Sequence, residues 1–445
     1  MRRAGRGCAP GLSHSKKKAC FSLTKCALSS LGTPWREAKG DGIMGRLTQD
    51  QLLGNEFAVT AVENFLKELD GIIDPRRSQG IRYSLKSILL IALMAVICDI
   101  NSAQGFELFG KYHEAKLSEF LDLPYGAPTQ DVYLRVFAML SETVLEKLFE
   151  AWVPVCAALQ GKAIDTSHLA IDGKTSRRSN KTSNTHGIHT LGVMAVNSGI
   201  LIASKDCHEK TNEIVVIPQM LELLSLKGTT VTIDAMGTQT EIASMIAASG
   251  GDYILGLKLN QKNLYEDALA LFERTMDIVD ISDKSVYFKD IDKGHGRIEE
   301  RETFVMRDLS SIRSVGRWTN LSYIVAIKRT VTKLNPKQYQ KSTTVETEFY
   351  LGSHKNITAQ KCGALIRAHW MIENQCHWVL DVVFDEDQAR ARMKNCAKNF
   401  TILRRLALAL LKSDPNHPKL SIQLRRKLAA MDFDYLLNLV VIKEK

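Results

Sequence analysis

The chain predicts an α/β fold in which an all-helical amino-terminal domain precedes a mixed sheet flanked by helices, with a β-rich insertion inside the sheet domain. Three observations predict it. Up to about Ala163 the apolar residues recur at helical spacing and no strand pattern interrupts them. From His168 onward, short β-rich runs alternate with helical ones. Between 286 and 353 the strand pattern returns without helices between its members.

The elements follow in order. Helices are expected at 57–69, 85–98 and 106–120, the first two separated by the turn Asp74-Pro75-Arg76-Arg77. After the loop 123–128, Thr129 is placed to cap a helix running through Arg135 and Phe137. Residues 169–171 form a short buried strand that ends in Asp172-Gly173. Strands at 190–196 and 201–205 are joined by Asn197-Ser198-Gly199, a tight hairpin signal. A helix at 218–226 starts on Pro218, tolerated in a first turn. Then come a strand at 229–233 ending in Asp234, a helix at 240–248 and a strand at 253–257. The order is β, β, β, α, β, α, β: an antiparallel meander, then strands brought parallel to the first by helical crossovers. That is the RNase H-like arrangement. The insertion holds strands at 303–306, 321–328 and 344–350, with Asp292-Lys293-Gly294-His295-Gly296 as a break. One long helix at 358–379 and another at 398–411 follow.

This reading divides the chain into an amino-terminal domain at 44–163, a sheet domain at 164–412 and a helical tail at 413–445. Residues 1–43 are read either as a disordered leader or as a start placed too early, with Met44 the true beginning.

Composition bounds the function classes. With 45% hydrophobic and 24% charged residues the chain is an ordinary globular sequence, neither disordered nor collagenous. A formal charge of +10 favours a polyanionic partner, although Arg2, Arg3, Arg6, Lys16, Lys17 and Lys18 inflate it. The nine cysteines form no CxxC pair and read as reduced thiols of a cytoplasmic protein. The longest apolar run, 88–98, is about half the roughly 20 residues of a bilayer crossing, so no membrane span is expected. No continuous apolar stretch precedes Met44, so no secretory signal is expected either.

The candidate chemistry lies in three acids. Asp172 and Asp234 each end an apolar strand, and in the arrangement above those strands are neighbours, so both carboxylates emerge at one edge of the sheet. Either alone is an ordinary strand-end aspartate. Together they form a like-charged pair that recruits a cation, and two Mg²⁺ or Mn²⁺ ions about 3.5 to 4 Å apart suit such oxygen ligands. The third motif is on the 358–379 helix and just beyond it, where His369, Glu373, His377 and Asp381 step by four and form one polar stripe. Such a stripe is costly to bury unless it meets metal or phosphate. Arg367 offers a planar fork for a phosphate. Trp370 and Trp378 either stack on a displaced base or belong to the core.

These residues resemble the H-repeat-associated insertion-sequence transposases, a branch of the DDE transposase superfamily. The motifs are Ala170-Ile171-Asp172-Gly173-Lys174-Thr175, His208-Glu209-Lys210-Thr211-Asn212-Glu213-Ile214, Ile233-Asp234-Ala235-Met236-Gly237 and Gly294-His295-Gly296-Arg297-Ile298-Glu299. The fifth runs from His369-Trp370-Met371-Ile372-Glu373-Asn374 to His377-Trp378-Val379-Leu380-Asp381. The resemblance implies that Asp172, Asp234 and Glu373 are catalytic and bind two metal ions. It implies a double-stranded DNA substrate, the element's terminal inverted repeats and target, cut and joined by a homodimer. Lys174, Arg367, His369, Asn374, His377 and Trp378 are then the residues near DNA phosphate. Many related transposases place a lysine two turns after the glutamate, where this chain has Leu380. Three other readings stand beside this one. One is a zinc site on His369, Glu373 and His377. The others are a domesticated, catalytically silent DNA-binding protein and a plain nuclease of the same fold.

Overall fold

The computed structural model describes Phe65 and residues 67–440, apart from 80, 160–162, 177–187, 208–212, 295, 336–339 and 392. The expected leader at 1–43, most of the helix at 57–69 and most of the 208–214 motif lie outside the described residues.

Among the described residues, helical turns reach Gly71, and then come α1 (Leu85–Ile97), α2 (Ala103–Tyr112), α3 (Glu114–Leu117), α4 (Gln130–Met139) and α5 (Glu142–Leu159). α1 is apolar nearly all round and is buried on every side, as such a helix must be. Ser84 and Ser102 cap α1 and α2 by accepting from Ser87 N and Gly105 N. The single helix expected at 106–120 breaks at His113, and Thr129 holds the N-cap backbone geometry without a side-chain bond. The Gln130 N–H at that end donates instead to Glu107 Oε2 at 2.7 Å, so a neighbouring helix does the capping.

The sheet has nine strands: β1 (His168–Thr175), β2 (His189–Ala195), β3 (Ile200–Cys207), β4 (Thr230–Ile233), β5 (Asp252–Leu257), β6 (Tyr287–Gly294), β7 (Arg297–Met306), β8 (Tyr323–Asn335) and β9 (Gln340–Gly352). Their order is β3-β2-β1-β4-β5-β9-β8-β7-β6. β4 runs parallel to β1 and β5 parallel to β4, while every other pairing is antiparallel. The β2–β3 hairpin turns on Gly199, whose φ of +68° only glycine adopts freely. The crossovers are α6 (Glu213–Leu221) and α7 (Thr240–Ala248). α6 starts five residues before the expected Pro218, because Val216, Ile217, Met220 and Leu221 face the core and hold the turn despite the proline inside it.

The β-rich insertion does not form a layer of its own. β6 to β9 are a meander that joins the main sheet where β9 pairs with β5. Their strands run longer than the apolar pattern indicates because cross-strand ion pairs such as Lys289–Glu300 continue the ladders. α8 (Lys262–Ile278), which the sequence reading did not resolve, packs Leu264, Ala268, Leu271 and Phe272 on the sheet at helical spacing. At the junction Gly352 lies opposite Tyr323, a fully buried ring whose hydroxyl is 3.0 Å from His354 Nδ1. A Cβ at 352 would fall within that ring. Gly352→Ala is therefore expected to cost about 3 kcal/mol, the upper end of core over-packing, read as a lower denaturation midpoint.

The helix expected at 358–379 is interrupted. α9 (Ala359–His369) ends at Trp370, a π-helical turn occupies Glu373–His377, and α10 covers Trp378–Val382. α11 (Cys396–Ser413), α12 (Ile422–Met431) and α13 (Phe433–Leu439) complete the chain. One core joins α1, α2, α4 and α5 with α11 to α13 and one face of β1 to β3. A second lies on the opposite face under α6, α7 and α8. β1 divides accordingly: Ala170 enters the first core, Leu169 and Ile171 the second. Among the described residues no helix is long and apolar enough to cross a membrane.

Candidate active site

Strand pairing sets the position of the two aspartates. Ile171 on β1 is in register with Ile233 on β4, and β4 ends there, so Asp172 and Asp234 are the next residues of adjacent parallel strands. β1 does not stop at Asp172 as expected. It runs on to Thr175 because β2 continues to pair with it, Asp172 opposite Gly192. Asp234 begins a turn in which its Oδ1 accepts from Met236 N at 3.1 Å and Gly237 N at 3.3 Å.

The electrostatics follow from this placement. The surrounding protein desolvates the Asp234 carboxyl, and the charge of Asp172 adds to that effect, so its pKa is raised above the ordinary aspartate value despite the two backbone donors. The side chain still reaches solvent at the rim of the sheet, and water screens part of the repulsion. Two carboxylates so placed, one held above its ordinary range, fit a hard divalent cation.

The helical motif meets the sheet along β1 and β4. His369 Nδ1 lies 3.0 Å from Thr232 Oγ1 on β4, and His377 Nδ1 lies 3.3 Å from Asp172 Oδ2. Burial lowers the His369 pKa, with Asp172 opposing, so this imidazole is neutral at neutral pH. Four residues beyond His377, Asp381 accepts from Lys174 Nζ at 2.6 Å. The spacing is a geometric match: two residues along a strand span about 6.6 Å and four along a helix about 6 Å. Asp172 and Lys174 thus meet His377 and Asp381 as two rungs.

The remaining expected residues are placed as follows. Glu373 and Asn374 are exposed on the π turn. Lys174 is buried, and the carboxylates of Asp381 and Glu386 surround it. Arg367 is held by Asp290 at 2.9 Å and Asp292 at 2.5 Å, both on β6. Trp370 and Trp378 are 44% and 56% exposed, which removes them from the core. Among the described residues no three His, Cys, Asp or Glu side chains converge closely enough to hold a metal ion. The structure therefore brings His377 to Asp172 and His369 to β4 beside the aspartate pair, with Glu373 exposed on the π turn between the two histidines. The sequence reading quoted Glu213 within the 208–214 motif without giving it a role and did not single out His189. Glu213 is buried at the start of α6 and hydrogen-bonded to His189 Nε2, and its charge also acts on Asp234.

Comparison with known proteins finds matches over most of the chain. Residues 163–410 match the family model described as Transposase DDE domain, and residues 66–153 match the one described as DDE_Tnp_1-associated. The chain is 30% identical over 385 residues to the H repeat-associated putative transposase YhhI of Escherichia coli, a match covering 85% of this chain and 98% of that protein. It is equally similar, with the same coverage, to the Putative protein YbfL of Escherichia coli. To the Putative transposase YncI of Escherichia coli it is 31% identical over 379 residues, 84% of this chain and 94% of that one.

Proposed function

The chain belongs to the DDE transposase family, and on that premise we propose that it cuts the terminal inverted repeats of an insertion sequence and joins them to target DNA in a divalent-cation-dependent reaction. The observation that carries this reading is the Asp172–Asp234 pair at the ends of adjacent parallel strands, the Asp234 pKa raised by crowding and by its neighbour's charge. The strand order β3-β2-β1-β4-β5, with β4 and β5 parallel to β1, supports an RNase H-like core for it.

In this reading Asp172, Asp234 and Glu373 hold two Mg²⁺ or Mn²⁺ ions. When bound, such ions activate the attacking water or 3′-hydroxyl and stabilise the departing oxygen. The chain's own groups do the rest. His377 steadies the Asp172 carboxylate, and the Lys174–Asp381 pair docks α10 on β1, next to the π turn that carries Glu373. Widened helical turns of this kind are frequent at functional sites. Arg367, once a phosphate displaces Asp290 and Asp292, presents a bidentate fork. The exposed indoles of Trp370 and Trp378 offer stacking faces for unpaired bases. Two element ends need two active sites, so the working form is a dimer at least.

The test is cleavage of element-end DNA by purified protein with Mn²⁺, followed by a strand-transfer assay on a supercoiled target. Nicks at the transferred-strand end and joined products are the expected result. Nicking without joining would leave a nuclease, and DNA binding without either would leave the catalytically silent form.

A further inference from the structure

Behind the aspartate pair, on the opposite face of β1, lies a hydrogen-bonded chain with no part in the reaction as described so far. β1 alternates, so Asp172 and Lys174 share the Ala170 face while residues 173 and 175 share the face of Leu169 and Ile171, towards α6. Residue 173 is glycine, and the reason is steric. A Cβ there would lie 2.8 Å from His189 Nε2 and closer still to Glu213 Oε1, so the carboxylate fills the volume that a side chain would take.

Glu213 is 6% exposed and His189 3%. Nε2 of the imidazole bonds Glu213 Oε1, and its Nδ1 lies 2.7 Å from Oγ1 of Thr175, its cross-strand partner. Glu213 and Thr175 thus hold the ring from its two nitrogens. The carboxylate is thereby fixed in orientation by a ring that is itself fixed.

Resting on the cation-dependent reading above, we propose that Glu213, oriented by His189, is a positioning residue of the cation site, supplying fixed negative charge behind Asp172 and Asp234 that raises their affinity for a divalent ion. Its carboxylate packs against Gly173, the residue that follows Asp172 on β1. Outer-shell carboxylates that touch no metal tune affinity in this way, typically by about 10 to 100-fold.

The experiment titrates the full chain with Mn²⁺ and reads free ion by electron paramagnetic resonance, beside the Asp172→Asn/Asp234→Asn double variant as the zero. Glu213→Gln keeps the acceptor for His189 and removes the charge, and its Mn²⁺ affinity is expected to fall by about tenfold or more at unchanged melting temperature. Glu213→Asp keeps the charge and is expected to stay within a few-fold of the parent. Parent-like binding by Glu213→Gln overturns the proposal, and so does equal weakening by both variants, which would mark packing alone. If Glu213→Gln melts below the assay temperature, all variants are titrated below its melting temperature, where a tenfold loss by Glu213→Gln alone supports the proposal and parent-like binding overturns it. A parent that binds no more Mn²⁺ than the double variant sinks the cation reading itself, and this inference with it.

Discussion

Asp234→Asn is expected to reduce DNA cleavage by about a thousandfold or more, because losing a direct ligand exceeds the ten- to hundredfold cost of losing a supporting one. The same substitution is expected to raise the melting temperature of the metal-free protein. Asparagine keeps an Oδ1 that accepts from Met236 N and Gly237 N, so the turn survives, while the repulsion from Asp172 disappears. The gain is about 0.5 kcal/mol, the scale of a screened charge pair. The sign follows from linkage. A carboxyl whose folded-state pKa is raised contributes stability present below the ordinary aspartate value and lost as pH rises through the folded value, so at neutral pH the charged form is a burden that the variant removes. Asp172→Asn and Glu373→Gln are expected to abolish cutting likewise and to leave binding of element-end DNA intact. Asp172→Asn, however, also gives up its contact with His377 and should not stabilise. Cleavage kinetics beside differential scanning calorimetry separate these outcomes. Residual cutting above about one per cent in Asp234→Asn would remove that residue from the ligand set.

This trade between stability and function explains what the sequence made legible. The order of strands 169–171, 190–196, 201–205, 229–233 and 253–257 was readable because each is a short apolar run bounded by turn residues, and the right-handed crossover rule leaves few ways to connect them. The aspartates were readable for the same reason, since a charge at the end of a buried run stands out against it. The helical motif was legible as a motif and misleading as geometry. Steps of four place His369, Glu373, His377 and Asp381 on one face only while the helix stays α-helical. The turn at Trp370 and the π turn over Glu373–His377 break that rule: His369, His377 and Asp381 reach the sheet, and Glu373 is exposed on the π turn. Lys174 shows a different limit. A lysine beside an active-site aspartate suggests a phosphate contact, yet its partner Asp381 lies 207 residues away in sequence, and only the fold brings the two together. Glu213 stood in the quoted 208–214 motif without a role, and Gly173, whose missing side chain says that something must approach, does not say what.

A second large effect is expected at Arg426. The side chain is 1% exposed on α12, and it joins parts of the chain that the sequence gives no reason to connect. Its Nη2 donates to Val96 O near the end of α1 at 2.8 Å, its Nη1 to Val383 O just past α10, and Nη1 also lies 2.8 Å from Asp99 Oδ1. The guanidinium stacks over Phe384, 4.0 Å from the ring centre. Burial lowers its pKa to about 10, with Asp99 opposing, so it remains a cation at neutral pH. Removing it strands two helix-end carbonyls, while Asp99, 47% exposed, can turn to water; two buried acceptors left without a donor, at about 1–3 kcal/mol each, cost about 3–5 kcal/mol together. Arg426→Met is therefore expected to shift the denaturant midpoint by that amount. Arg426→Lys should recover little of it, since one ammonium cannot serve acceptors that a planar fork reaches from two sides. Because Val383 follows the helix that docks on Asp172 and Lys174, the same change should also loosen that helix, seen as faster hydrogen exchange in 371–383 under conditions where α1 still folds. A lysine variant within about 1 kcal/mol of the parent, the range of an ordinary surface charge, would show that the fork does not bind these elements together.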